Sequence, residues 1–111
     1  MEPTSAEGWA KLAAGFCEGE VKFCKGSNGW PELLFAPGRP FDPLHDLNDL
    51  GLVKAEIRRR ELWWGLELND RGYTCSILDW DSMVDKRWRG NGPTENLAVL
   101  RAAFVLGEEK P

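Results

Sequence analysis

Apolar side chains recur along the chain with two periods, and the switches between them divide it into elements. From Ser5 to Cys17, Trp9, Leu12, Ala13 and Phe16 fall at the i, i+3, i+4, i+7 spacing of one helix face. Glu7 and Lys11 take the wet side and Ser5 is placed to cap. Gly19 permits a break. VKFCK and WPELLF, separated by the turn signal from Gly26 to Gly29, predict a short hairpin. The stretch APGRPFDP holds three prolines and a glycine, which excludes regular structure and marks a connecting loop. A second helix is predicted from near Asp46, with Leu47, Leu50, Val53 and Ile57 as its apolar stripe. Asp46 and Asp49 lie at the positive end of its dipole and Arg58, Arg59 and Arg60 at the negative end, while Gly51 weakens it.

The period then changes to two. Residues 62 to 68 and 73 to 80 predict the clearest hairpin, joined through Asn69-Asp70-Arg71-Gly72. A strand here sends Trp63 and Trp64 to opposite faces. Because a one-residue slip flips every side chain, the buried pattern selects the register. Pairing Leu68 with Tyr73 gathers Leu62, Trp64, Leu66 and Leu68 with Tyr73, Cys75 and Ile77 on one core face. The opposite face carries Trp63, Glu67, Thr74 and Ser76, with Leu78 and Trp80 joining Trp63 at the far end. A three-residue loop with Gly72 in a left-handed bulge would mix Thr74 and Ser76 into the leucine face, so the first register is preferred. A weaker strand is predicted at Val84 to Trp88, followed by a GNGP turn. The last helix is predicted over Thr94 to Leu106; apart from Asn96 and Arg101 it is apolar on nearly every side and so mostly buried, while the tail GEEKP should fray.

At 111 residues, without repeats or composition shifts, the chain reads as one domain, 1–111, large enough to bury roughly two-thirds of its unfolded surface. Six of its residues are tryptophan, against five phenylalanines and one tyrosine, so the core should be tryptophan-rich. A net charge of -4 and a pI near 5.0 argue against a dedicated nucleic-acid binder, which needs a basic face. Cys17, Cys24 and Cys75 lack CxxC spacing and the single His45 has no cysteine near it, so neither a zinc site, a disulfide framework nor any other cofactor is expected. No apolar run approaches the length of about 18 residues that spans a membrane. The opening MEPTSAEGW is acidic and polar where a signal peptide is basic and then apolar, so a cytoplasmic location with free thiols is expected.

Three segments resemble the phage ABA sandwich domain, a family of small proteins of phages and mobile elements. FDPLHDLNDLGLVKAEI is similar to its Pro-containing loop entering an Asn/Asp-bearing helix, ELWWGLELNDRGYTCSI to its Trp-containing hairpin, and GPTENLAVLRAAF to its closing Ala-rich helix. Together they lie within residues 41 to 106. Two features depart from the pattern: the order is Pro93-Thr94, and Leu100 stands where a cysteine precedes Arg101. The resemblance implies layers of helices against an antiparallel sheet, with helices available for both sides. The family carries no established activity, so no catalytic residue is implied.

Candidate chemistry has a plain structural alternative at each place. Asp42, His45, Asp46 and Asp49 form the densest set of metal-ligating or acid/base groups, and His45 and Asp49 could share a helix face, yet a turn residue and two helix-capping aspartates explain most of it. Asp79, Asp81 and Asp85 suggest a calcium loop but lack its glycine and distal glutamate. Arg58 to Arg60, and Lys86, Arg87 and Arg89 around Trp88, could hold a single nucleic-acid strand by charge and stacking. The cysteines read as buried small hydrophobes. The remaining set is Trp63, Leu78 and Trp80, with Trp30 or Trp88 as further members: a protein interface, a small-ligand pocket, or a second core if a helix covers it.

The chain is therefore expected to be an α+β domain, an antiparallel sheet of about four or five strands with three helices packed on it in layers. In function it is expected to be a non-enzymatic accessory protein of a phage or mobile element, acting through protein contacts as a homodimer. Its binding residues would be Trp63, Leu78, Trp80, Trp88, Arg87 and Arg89, with no catalytic or metal-binding residue. A small-molecule-binding module using the Trp-rich face is the alternative, and single-stranded nucleic-acid binding a weaker third.

Overall fold

The computed structural model describes residues 2–79 and 86–108, Lys86 by its backbone alone. Ser5 Oγ accepts from Gly8 N at 3.1 Å and so caps α1 (Ala6–Phe16), whose Trp9, Ala10 and Ala13 are buried. The predicted hairpin follows as β1 (Phe23–Lys25) and β2 (Pro31–Leu33), paired antiparallel with Cys24 opposite Glu32.

α2 (Leu47–Arg59) starts where Asp46 accepts from the N–H groups of Asn48 at 2.8 Å and Asp49 at 3.3 Å. Its end is a Schellman motif: Leu62 N donates to Ile57 O at 3.2 Å and Glu61 N to Arg58 O at 2.9 Å. Glu61 occupies the left-handed position, φ 64°, usually given to glycine. Leu50, Val53 and Ile57 are fully buried as expected, but Leu47 is 61% exposed. The reason lies in the preceding loop, which crosses the first turn on the side of Asp49. That carboxylate accepts from Arg39 Nη2 at 2.8 Å and from Asp42 N at 2.9 Å, turning Leu47 outward.

β3 (Trp63–Asn69), β4 (Gly72–Asp79) and β5 (Lys86–Gly92) form a second antiparallel sheet in that order. Leu68 pairs with Tyr73 and Trp63 with Leu78, the register expected from the hydrophobic pattern. Among the described residues the expected single sheet of four or five strands is instead two sheets, of two and three strands. The outer edge of β2 is occupied by the Pro-rich loop: Leu33 N donates to Arg39 O at 3.3 Å, Phe41 N donates to Pro31 O at 2.9 Å, and Pro40, which has no N–H, bridges Glu32. No edge of β2 remains for the larger sheet.

The third strand also differs from expectation, running through the supposed GNGP turn. Gly90 and Gly92 point to the face on which α3 (Glu95–Glu108) lies, and a Cβ on Gly90 would strike the backbone of Ala98 and Ala102. The glycines thus mark a close strand–helix approach rather than a turn. Thr94 Oγ1 accepts from Leu97 N at 3.2 Å at the start of α3. The helix is buried on most sides, and even Asn96 is enclosed, donating to Pro43 O at 2.8 Å. It takes in Gly107 and Glu108, which the sequence pattern places in a fraying tail. The core includes Phe41, Cys75, Ile77 and Leu100, all fully buried, and no described helix is long and apolar enough to cross a membrane.

An open sheet face as candidate binding site

Strand pairing sets the side chains of the three-stranded sheet in rows. On the face turned away from the helices, Trp63, Leu78 and Arg87 form one row across the strands, Gly65, Ser76 and Arg89 the next, and Glu67, Thr74 and Asn91 the third. The last row continues a polar ladder, in which Asn69 Nδ2 donates to Thr74 Oγ1 at 3.2 Å and Thr74 Oγ1 to Asn91 Oδ1 at 2.7 Å. Among the described residues no helix covers this face. Trp63 is 48% exposed at its apolar and basic end. From the last turn of α2, the Arg58 guanidinium lies 3.7 Å from the centre of the Trp63 ring, close enough for cation–π attraction.

Of the six residues expected to form the site, Trp63, Leu78, Arg87 and Arg89 therefore meet on one surface. Trp80 lies outside the described residues, as do Asp81 and Asp85 of the supposed calcium loop. Trp88 does not belong: it pairs with Ile77 on the helix side and is buried. The alternation is visible in KRWRGNG, where Trp88, Gly90 and Gly92 share one face and Arg87, Arg89 and Asn91 the other. Trp30 sits in the separate hairpin region. Arg58 is a member that sequence reasoning places only in a basic run, because nothing local shows that a helix end will reach a neighbouring strand.

Arg59 and Arg60 are engaged elsewhere. Glu56, fully buried in its side chain, accepts from Arg59 Nε at 2.9 Å and Nη2 at 2.6 Å and from Arg60 Nε at 2.8 Å. Arg60 Nη2 also donates to Phe16 O at 2.8 Å, fastening α1 to α2. Burial alone would raise the Glu56 pKa, but the hydrogen bonds from Arg59 and Arg60 outweigh it and hold the carboxyl below its ordinary value.

Compared with models of known families, with curated proteins and with solved structures, the chain matches none.

The other candidate chemistry disperses. His45 precedes α2 and lies 3.0 Å from Asp42 through Nδ1, whereas Asp49 turns to Arg39, so His45 and Asp49 do not share a helix face. Among the described residues no group of three or more His, Cys, Asp or Glu could hold a metal ion. Cys17 and Cys75 are buried, and burial, their largest perturbation, pushes both thiols up to about 12, far from a reactive thiolate. Two shallow clefts, of about 260 and 290 Å³, lie beside Gly15 and Phe23 and beside Phe16 and Phe104, away from Trp63.

Proposed function

We propose that this chain is a non-enzymatic binding module that works through protein contacts on the open face of the β3-β4-β5 sheet, as an accessory protein of a phage or mobile element would. One observation carries the reading: a sheet face that no described helix covers joins a half-exposed tryptophan to Leu78 and to arginines on two elements. Tryptophan and arginine dominate the energetic centres of protein interfaces, and a polar rim such as the Asn69-Thr74-Asn91 ladder commonly surrounds them. A nucleic-acid strand is less well served. Two arginines of the basic runs are tied to Glu56, and Glu67 places a negative charge on the same face.

A photo-crosslinking amino acid at Ser76 tests this. In cells of the source organism it should form a protein adduct that is lost in Leu78→Glu and Arg89→Glu. An adduct to nucleic acid alone, or a protein adduct indifferent to both substitutions, would sink the reading.

A further inference from the structure

Exposed sheet edges invite pairing with other chains, and of the four edges among the described strands three are protected. β1 is only three residues long. β2 is closed by residues 39–41. β5 carries Arg87 and Arg89, is followed by Pro93, and has its Asn91 carbonyl occupied by Arg101 Nη1 at 2.7 Å. β3 differs. Its seven residues, WWGLELN, contain no proline and one charge, and its register with β4 is free of bulges.

The hairpin closes on Asn69 and Gly72, so the backbone groups of Gly65, Glu67 and Asn69 turn toward β4 and those of Leu62, Trp64, Leu66 and Leu68 turn outward. At Leu62, α2 satisfies them: the N–H donates to Ile57 O at 3.2 Å and the carbonyl accepts from Arg58 Nη1 at 3.4 Å. Beyond it, nothing among the described residues bonds the outward groups of Trp64, Leu66 and Leu68. The cover of α2 also ends there. Lys54 lies 4.7 Å from the Trp64 ring centre, but Leu68, on the same side of the strand, is 70% exposed.

We propose that a second copy of this chain pairs antiparallel along β3, about a twofold axis through Leu66, joining two three-stranded sheets into one of six strands. The occupant follows from self-complementarity. With the axis at Leu66, each bare Leu68 lies opposite the partner's Trp64, on the side where the partner's α2 provides cover. Glu67 meets the partner's Gly65, whereas an axis one residue on would set the two glutamates face to face. Leu62 comes opposite the partner's Asp70, which brings Arg58 and an exposed carboxylate of opposite charge together at both ends. The open faces fall on the same side of the joined sheet, doubling the surface proposed above. The inference shares with that proposal only protein contact as the mode of action; it uses the strand edge, not the face.

Sedimentation equilibrium of the full chain tests it, with a reversible dimer expected at about 100 μM, as suits a small interface. A Cβ added to Gly65 would meet nothing within 4 Å, so Gly65→Glu should fold normally, checked by circular dichroism. Placed opposite the partner's Glu67 twice per dimer, it should weaken association about tenfold, and Glu67→Lys added to it should restore the dimer. A monomer at that concentration, or a dimer insensitive to Gly65→Glu, would overturn the inference. Leu78→Glu, on the open face, should leave the dimer intact. Loss of the dimer in Leu78→Glu with no effect of Gly65→Glu would move self-association to the open face and refute the edge pairing while leaving the face reading standing.

Discussion

Ile77 and Leu78 are neighbours in β4 and differ little in size, yet Ile77 is fully buried beneath the helices while Leu78 is half-buried between Trp63 and Arg87. The same contrast runs through β5, where Gly90 and Gly92 lie on one face and Arg87 and Arg89 on the other. Apolar character alone does not separate the faces, since Trp63 and Leu78 are as hydrophobic as anything opposite them. Access for a helix does. Ala98 and Ala102 of α3 reach the backbone of β5 because Gly90 has no side chain, and the long basic side chains on the reverse face offer no comparable seat. A core forms where backbones can approach, and the other face leaves its tryptophan half-exposed.

The sharpest way to break this contrast is to fill the seat. Gly90→Val would drive its Cβ into the Ala98 and Ala102 backbone, which cannot give way as a flexible side chain would. The expected cost exceeds about 4 kcal/mol, a large fraction of the stability of a domain this size, so cooperative thermal unfolding should vanish. Gly65→Val, in open space on the reverse face, should keep its melting transition. Equal damage from both substitutions would show that the faces are not distinguished by helix approach.

A smaller effect compares the two neighbours directly. Ile77→Ala removes a fully buried side chain beside Cys75 and Trp88 and should cost about 2–5 kcal/mol by urea titration. Leu78→Ala should cost less, about 1 kcal/mol, because Leu78 is only half-buried and no enclosed cavity is left. Similar losses at both positions would mean that the open face is packed as a core.

Much of this contrast is legible in the chain. The register of β3 against β4 follows from the leucine face, because only one pairing keeps Trp64, Leu66, Cys75 and Ile77 together. Ser5 and Asp46 announce their helices through side chains that bond their own backbone, a strictly local event. What is not legible depends on distant partners. Asp49 and Glu56 are buried charges because Arg39, Arg59 and Arg60 close over them, so a polar letter on α2 carries an interior position. Leu68 has the right side chain and the right parity for the core, yet α2 and α3 stop short of it. Trp88 reads as part of the binding face because KRWRGNG resembles a basic turn, and a face made of absent side chains gives little hydrophobic signal.

Alkaline titration sharpens the comparison at one residue. Cys75 lies on the helix side, fully buried, and its thiol is pushed up to about 12 from 9.0, mainly by burial, with Lys54 opposing and Glu95 adding to the rise. The folded chain therefore holds a proton that the unfolded chain releases above pH 9. By linkage this contribution to stability is complete below that pH and declines as pH rises toward 12, by about 1.4 kcal/mol at pH 10. Cys17, raised in the same way by its burial between α1 and α2, adds a similar decline. Replacing Cys75 by alanine should lower stability at pH 7 through lost packing but remove its share of the slope between pH 9 and 10.5, measured as urea midpoints. Ser76→Ala, one residue on and facing the open side, should leave that slope unchanged. An alkaline slope that persists in full in Cys75→Ala would mean that the thiol ionises while folded, and that the face beneath α3 admits water as the open face does.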